Sequence, residues 1–399
     1  MRILHVTISL DPDLGGPPAV VARLSAAQAA LGHRVHLLSY RSPAGAARML
    51  DALSQVPGFD LVQCNFLEPP GRVERVFALK AKRYVSERLE DFDIIHVHGI
   101  WERISKVAAD VARRSRKPYV VAPHGMLNPW SLQYKRLKKR IALALGYRRM
   151  LNGVTFLHTL NADEEEFVRS TGLDCPLEII PNGIFLEAIE PLPPADQFRA
   201  AHPELLNDPY ILFLSRLHVV KGLDFLADAF ALVAKQNGSV RLVVVGPDGG
   251  ARGDFEARIE RAGLRDRVHL VGPLYGTHKF AAITGCACFC LPSRQEGFSI
   301  AITEALACRV PVVISDQCHF PEVAAAKAGY VVELNPQSIA DGLLAVLANP
   351  ERAKAMGEAG RNLVESQFTW HRIAEQSIAA YGRALGRGDR REAEQSSRV

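Results

Sequence analysis

The sequence predicts an α/β protein of two doubly wound, Rossmann-like domains, and three observations predict it. Short β-rich runs alternate with longer helical patterns from the first residue onward, the rhythm of βαβ units and of a mostly parallel sheet covered by helices. That rhythm is broken by a proline-rich, aperiodic stretch, EAIEPLPPADQFRAAHPELLNDP at 187–209, and then restarts. At 399 residues the chain also exceeds what one hydrophobic core supports, so two domains are expected.

In the first half the expected strands lie in RILHVTIS, RVHLLSY, DLVQCNF, DIIHVHGI, PYVVAPHG, GVTFLHT and LEIIPNG. The helix expected in PPAVVARLSAAQAALG has Pro17 and Pro18 at its start and Gly32 just past its end, the asymmetry that helix caps prefer. In the second half YILFLSRL, VRLVVVGP, RVHLVGPL, CACFCLPS, PVVISD and AGYVVEL are near-continuous apolar runs, as parallel strands buried on both faces should be. The expected division is 1–189 for the first domain and 190–369 for the second. A helix at 370–386 is expected to pack back on the first domain, followed by a charged, disordered tail at 387–399.

With 48% hydrophobic and 23% charged residues the composition is that of a soluble globular protein. No apolar run approaches the roughly 18 residues of a membrane span, and the opening MRILHVTISLDPDLGG carries no expected secretory signal. Seven cysteines, scattered or inside apolar runs such as Cys286–Cys290, fit reduced cytosol and show no zinc-like spacing. Residues 1–185 hold 25 Lys and Arg against 18 Asp and Glu, the remainder 23 against 25. The excess of the first half marks either an anionic surface or phosphate-bearing target, or a solvated basic face; no nucleic-acid partner is expected.

In open α/β sheets ligands bind beyond the carboxyl ends of the strands, where loops enter helix N-termini. After the first strand, Gly15 and Gly16 precede a helix, so backbone N–H groups can approach a phosphate or hydroxyl; a purely steric glycine turn is the alternative. After the first strand of the second half, Arg216 and Lys221 flank a strand-to-helix turn in SRLHVVKG. Two fixed cations there would hold a diphosphate, unless they are exposed surface charges. After CACFCLPS, the residues Gly297, Phe298 and Ser299 lie where the chain enters a helix, with backbone donors aimed at an anion or at sugar hydroxyls. Glu296 is placed to accept from hydroxyls, and Glu304, about a turn into the helix, leans back toward the same ligand. A nucleotide sugar, with a diphosphate between two hydroxyl-bearing sugars, satisfies all of these residues. No Asp-x-Asp pair at a strand end demands a metal, so neither metal nor other cofactor is expected. In DIIHVHGIWE the alternation of the strand is expected to let only one of His96 and His98 face the ligand. His98 with Trp101 is the acceptor-side candidate, a satisfied core histidine the alternative. The acidic run before Phe167 suits a helix first turn.

The segment EGFSIAITE, with seven residues between Glu296 and Glu304, resembles the E-x7-E signature of retaining GT-B glycosyltransferases of glycosyltransferase family 4. The resemblance runs from LGGPPAVV through APHGML, IPNGI, SRLHVVKG and VVVGPDGG to EGFSIAITEALACRVPVV. It implies a GT-B fold, with an acceptor-binding first domain and a donor-binding second domain facing across a deep cleft. It implies that Glu296 and the backbone of Gly297 and Phe298 hold the transferred sugar, and that Glu304 holds the ribose. Arg216 and Lys221 would neutralise the leaving diphosphate, His124 would lie near the anomeric centre, and Gly16 by diphosphate and acceptor. The base would lie near Val271–Leu274, with Gly246 at the neighbouring turn. Retention would follow from front-face attack assisted by the leaving phosphate, with Glu296 not the nucleophile.

The segment PHGMLNPWSLQYKRLKKR is similar to that of bacterial exopolysaccharide transferases, which implies a glycan or polyprenyl-diphosphate-linked acceptor in cell-surface polysaccharide synthesis. On a helical wheel Trp130, Tyr134, Leu137, Ile141 and Leu145 form a stripe, with Lys135, Arg136, Lys138, Lys139 and Arg140 over the remaining surface. Either the helix packs on its domain with a solvated basic face, or residues 130–145 hold a cytoplasmic enzyme at the anionic inner face of the membrane. Two rival functions share the features: a nucleotide-sugar epimerase on the same fold, and a two-lobed sugar-binding protein.

Overall fold

The computed structural model describes residues 1–42, 45–133, 136–205 and 207–396. They form two compact units, one of Met1–Asn182 with the segment from Trp370 onward, the other of Gly183–Thr369.

Among the described residues, seven strands build the sheet of the first unit: β1 Arg2–Val6, β2 Arg34–Tyr40, β3 Gln63–Leu67, β4 Ile94–His98, β5 Tyr119–Ala122, β6 Phe156–Thr159 and β7 Leu177–Ile179. Their order is β3-β2-β1-β4-β5-β6-β7, with every neighbouring pair parallel. Six strands build the second sheet: β8 Tyr210–Leu214, β9 Arg241–Val245, β10 Val268–Gly272, β11 Cys288–Leu291, β12 Val312–Ser315 and β13 Gly329–Val332. They run in the order β10-β9-β8-β11-β12-β13, again all parallel.

Each strand lies within one of the runs read as a strand from the sequence, except β3, which extends one residue past DLVQCNF to Leu67. The reason is burial on both faces. Every residue of β4, β5, β11 and β12 is buried, and a fully buried side chain such as Phe289 contributes about 1.5–3 kcal/mol. Cys288 and Cys290 serve there as small apolar residues. Both orders reverse direction at one place, between β1 and β4 and between β8 and β11. That reversal leaves a crevice at the strand carboxyl ends, the usual ligand position of such sheets.

The units part at Asn182/Gly183, seven residues before the division expected at 189. Ile184 and Ile189 already belong to the apolar core of the second unit, and the Ile184 N–H donates to Phe368 O at 2.8 Å. Glu190 pairs with Arg361 of the same unit. The helix Trp370–Ser396 packs on the helix Gly16–Ala30, burying Trp370, Ile373, Ala374 and Tyr381. It continues through 387–396, where a disordered tail is expected from charge alone. Arg, Glu, Ala and Gln there are strong helix formers and extend the turn already begun. Residues 397–399 lie outside the described residues.

The basic segment departs from a single helical wheel. Helices Pro129–Gln133 and Arg136–Ala142 are followed by a π-helical turn, Leu143–Tyr147, which contains Gly146 at φ 104°. Tyr134 and Lys135 lie outside the described residues. Leu137 and Ile141 are exposed, at 70% and 49%, whereas Lys139 turns inward to donate to Ser131 O at 2.5 Å and sits 5.3 Å from the Trp101 ring centroid. Among the described residues no helix is long and apolar enough to cross a membrane.

Candidate active site

In the second unit the loops after β8 and β11 are pressed together. Gly222, at φ 69°, opens the helix Leu223–Gln236. A Cβ at this position would stand 1.8 Å from Pro292 O, so only glycine permits this approach. Arg294 ties the same loops. Its N–H donates to Val220 O at 2.7 Å and its guanidinium forks onto Asp224 at 2.8 and 2.6 Å. The consequence is a fixed ion pair across the loops, Lys221 Nζ to Glu296 Oε1 at 2.6 Å, with the Glu296 side chain 8% exposed. Ser293 Oγ donates to the same carboxylate oxygen at 2.6 Å.

Glu304 stands on the helix Ile300–Ala307, which Ser299 caps by accepting from the Ile302 N–H at 3.5 Å. Its Oε1 meets Lys279 Nζ at 2.6 Å, the lysine coming from the helix Gly276–Thr284 that follows β10. Phe298 packs its ring against Phe320 and Phe368, at centroid distances of 5.4 and 5.8 Å, which leaves its backbone as the part suited to a ligand. Gly297 is the half-buried residue between Glu296 and that anchor. Val271 and Leu274 are partly buried against the core. Gly246, at φ 145°, answers to a steric need: a Cβ would lie 1.9 Å from Ser215 O, so it lets the ends of β8 and β9 touch. Arg216 is exposed and makes no ion pair among the described residues; its aliphatic stem runs past Gly249, whose added Cβ would meet Arg216 Cγ at 3.0 Å.

In the first unit Gly15 and Gly16 are exposed at the start of the helix Gly16–Ala30. Gly15 has φ 96°, and nothing lies within 4 Å of a Cβ added to either, so the helix entrance is open to a ligand. His124 follows β5 in the left-handed region at φ 51°, as does Gly125 at φ 75°. Non-glycine residues held this way cluster at functional sites. The loop is held by Glu164, whose buried carboxylate accepts from the Gly125 N–H and the Leu160 N–H, both at 2.7 Å. Burial pushes that carboxyl up, against the pull of the two N–H donors. Within the acidic run assigned only to a helix first turn, Glu164 thus shapes the His124 loop.

Behind His124 lies a chain of histidines. His124 Nε2 is 3.0 Å from His98 Nδ1, and His98 Nε2 is 2.8 Å from His5 Nδ1. His5 Nε2 is 2.7 Å from Gln28 Oε1. The expectation that only one of His96 and His98 faces the site is corrected: residues two apart on a strand share a face, and the two ring centroids are 4.2 Å apart. Nor does His98 stand free for an acceptor, being 2% exposed with both ring nitrogens engaged. Trp101 is half-buried, its ring 5.8 Å from that of Tyr147. Desolvation lowers His5 and His158 to about 4 and holds His96 and His98 well below the usual imidazole range, so these rings are neutral. Nitrogens of His5, His96 and His98 lie within 4.8 Å of one another. The 2.8 Å between His5 and His98 is a hydrogen bond, shorter than the about 3.3 Å between two nitrogens of a tetrahedral metal site.

Two family models match the chain: glycosyl transferases group 1 over residues 194–363 and a glycosyl transferase 4-like domain over residues 15–183. The chain is 26% identical to the GDP-mannose-dependent alpha-(1-6)-phosphatidylinositol dimannoside mannosyltransferase of Mycobacterium tuberculosis, covering 96% of each. It is 28% identical to the D-inositol 3-phosphate glycosyltransferase of Xylanimonas cellulosilytica, covering 94% of this chain and 93% of the relative. Among solved structures, Anabaena HepE in complex with UDP-glucose matches with a TM-score of 0.73 at 19% identity, over 96% of this chain and 99% of that one. With one domain model falling on each compact unit and the two together spanning most of its length, the chain belongs to the GT-B glycosyltransferases built from a 4-like and a group 1 domain.

Proposed function

We propose that the protein is a retaining, metal-independent glycosyltransferase that moves a hexosyl group, mannosyl or glucosyl, from a nucleotide sugar to a lipid-linked glycan in cell-surface polysaccharide synthesis. The observation that carries the reading is the paired charge at the ends of β8, β10 and β11, Lys221 with Glu296 and Lys279 with Glu304, beside an Arg216 free of ion pairs among the described residues.

Sugar transfer needs a leaving diphosphate whose new charge is neutralised and an oxocarbenium-like centre that is stabilised. Cations already in place do this without reorganisation, each such donor being worth about 2.7–4 kcal/mol of barrier. Arg216 and Lys221 take the diphosphate. Glu296, with the backbone of Gly297 and Phe298, accepts from the sugar hydroxyls, and Glu304 accepts from the ribose. Glu296 Oε1 receives two donors at 2.6 Å, which favours a hydroxyl acceptor over a nucleophile and so favours front-face attack. Val271 and Leu274 face the base. His124 meets the sugar, and Gly15 and Gly16 meet the diphosphate and acceptor. His98 supports His124 from behind.

The relatives named for GDP-mannose and phosphatidylinositol mannosides support a mannosyl donor and a lipid acceptor. The exposed Leu137 and Ile141, flanked by exposed Lys138 and Arg140, support docking on the anionic inner face of the cytoplasmic membrane, each cation adding on the order of 1 kcal/mol.

The test is a panel of sugar nucleotides screened by thermal stabilisation, since a ligand at 100 times its Kd adds about 2.7 kcal/mol. The stabilising donor is then incubated with and without acceptor. An anomeric configuration retained by NMR and activity kept in EDTA are expected. An inverted product, or activity lost in EDTA and restored by magnesium, rejects the reading. A new sugar nucleotide from donor alone would instead mark an epimerase. Binding to anionic vesicles should fall with salt and with Lys138→Glu/Arg140→Glu; equal binding to neutral vesicles rejects the membrane role.

A further inference from the structure

The histidine chain behind His124 has a direction, and its far end sets it. His158 Nε2 lies 2.6 Å from Ile180 O. A carbonyl only accepts, so His158 carries its proton on Nε2 and, being neutral, accepts at Nδ1. His158 Nδ1 is 3.3 Å from His96 Nε2, so His96 is also the Nε2–H form and its Nδ1 accepts from the Tyr381 hydroxyl at 2.7 Å. Tyr381 has spent its one proton, and its oxygen must accept from Gln28 Nε2 at 3.2 Å. The same Gln28 nitrogen donates to Ser377 Oγ at 2.8 Å, whose own proton goes to Ala374 O at 2.7 Å. The amide of Gln28 therefore has one orientation, with its oxygen toward His5. His5 donates from Nε2 to that oxygen and accepts at Nδ1 from His98 Nε2–H; His98 Nδ1 in turn accepts from His124 Nε2–H. The lone pair of His124 Nδ1 is left without a partner among the described residues, on a half-buried ring.

We infer that Gln28 is a positioning residue for the transfer: oriented by Ser377 and Tyr381 and acting through His5 and His98, it holds His124 as the Nε2–H tautomer, so that Nδ1 accepts from a hydroxyl of the transferred sugar. The inference rests on the reading of His124 given above and adds four residues to it, none of which touches substrate. Two of them come from the helix Trp370–Ser396, which thereby takes part in setting the site. A histidine in the wrong tautomer is a poor partner even when its geometry is intact, at a cost of up to about 10⁴ in a hydrolase triad. Here the contact is one hydrogen bond to substrate, and a smaller effect is expected.

The experiment is the ring ¹⁵N–¹H spectrum of the full chain labelled with ¹⁵N-histidine, near pH 7, with assignment by single His→Gln variants. His5, His96, His98, His124 and His158 should all show a protonated Nε2 and a bare Nδ1. In Gln28→Leu, and separately in the double variant Ser377→Ala/Tyr381→Phe, which releases the Gln28 amide while leaving Gln28, His5, His98 and His124 themselves unchanged, His124 should become a mixture of tautomers. In both, kcat should fall about 10- to 100-fold with donor KM within about twofold. A protonated Nδ1 on His124 in the parent protein overturns the inference, as does a folded Gln28→Leu variant with unchanged tautomer and kcat. Zinc-induced shifts of the His5, His96 and His98 resonances would overturn it in favour of a metal site. If His124→Ala keeps full turnover, the functional role of His124 fails instead, while the tautomer pattern is judged on the spectra alone.

Discussion

The two units share a topology and differ in how they hold their polar groups. In the second, Lys221–Glu296 and Lys279–Glu304 are ion pairs between side chains on separate loops and helices, with lysines still about 20% exposed. In the first, His124, His98 and His5 are neutral rings ordered by the polarity of their hydrogen bonds. The contrast shows that one sheet order supports two kinds of preorganisation. Charge pairs wait for a charged ligand and respond to salt, whereas a neutral chain is indifferent to salt and vulnerable to protonation.

The largest effect that separates the units should come from backbone contact. Gly246→Ala or Gly222→Ala forces a Cβ to within 2 Å of a carbonyl oxygen and should cost more than about 3 kcal/mol. Chemical denaturation should then show loss of the second unit's transition while the first persists. Gly15→Ala meets nothing within 4 Å and should cost about 1–3 kcal/mol, all of it backbone strain at φ 96° and ψ −149°.

Acid should separate the units next. His5 and His158 have folded values near 4 against 6.5 when free, so the unfolded chain takes up protons first as pH falls. Their contribution is whole above pH 6.5 and is lost between 6.5 and about 4, at up to about 3 kcal/mol each. Glu164, whose carboxyl is raised, acts in the opposite sense and offsets part of this. Limited proteolysis near pH 5 should cut first within residues of the first unit; first cuts in the second unit would contradict the comparison.

Lys221→Ala should raise the barrier by about 2–4 kcal/mol with the fold retained, because Ser293 still donates to Glu296. Turnover close to that of the parent protein, measured at saturating donor, would refute the role of the pair. The smallest effect is expected from Ser299→Ala, which removes a long cap bond of 3.5 Å and should lower stability by at most about 1 kcal/mol in thermal melts.

Strands and the order of the site motifs were legible because parallel strands buried on both faces appear as unbroken apolar runs, and site residues follow them. Pairing was not legible. Lys279 and Glu304 are 25 residues apart and meet only because β10 and β11 deliver their helices side by side; YGTHKF shows nothing but a lysine in a helix. Glu164 was hidden among Asp163, Glu165 and Glu166, all equally suited to a helix start, and only tertiary packing singles out the one whose carboxylate turns inward. Gln28 and Tyr381 look like ordinary members of amphipathic helices. The misjudged pair, His96 and His98, was a matter of period: two residues along a strand return to the same side.

Tyr381 belongs to the first unit yet lies beyond all of Gly183–Thr369 in the chain. During synthesis at about 5–20 residues per second, roughly 10–40 s separate Asn182 from Tyr381. For that interval Gln28 and His96 wait in a nascent domain without their central partner, while the whole of the second unit emerges and can fold ahead of it. The first half of the chain to be made is therefore the last to be finished.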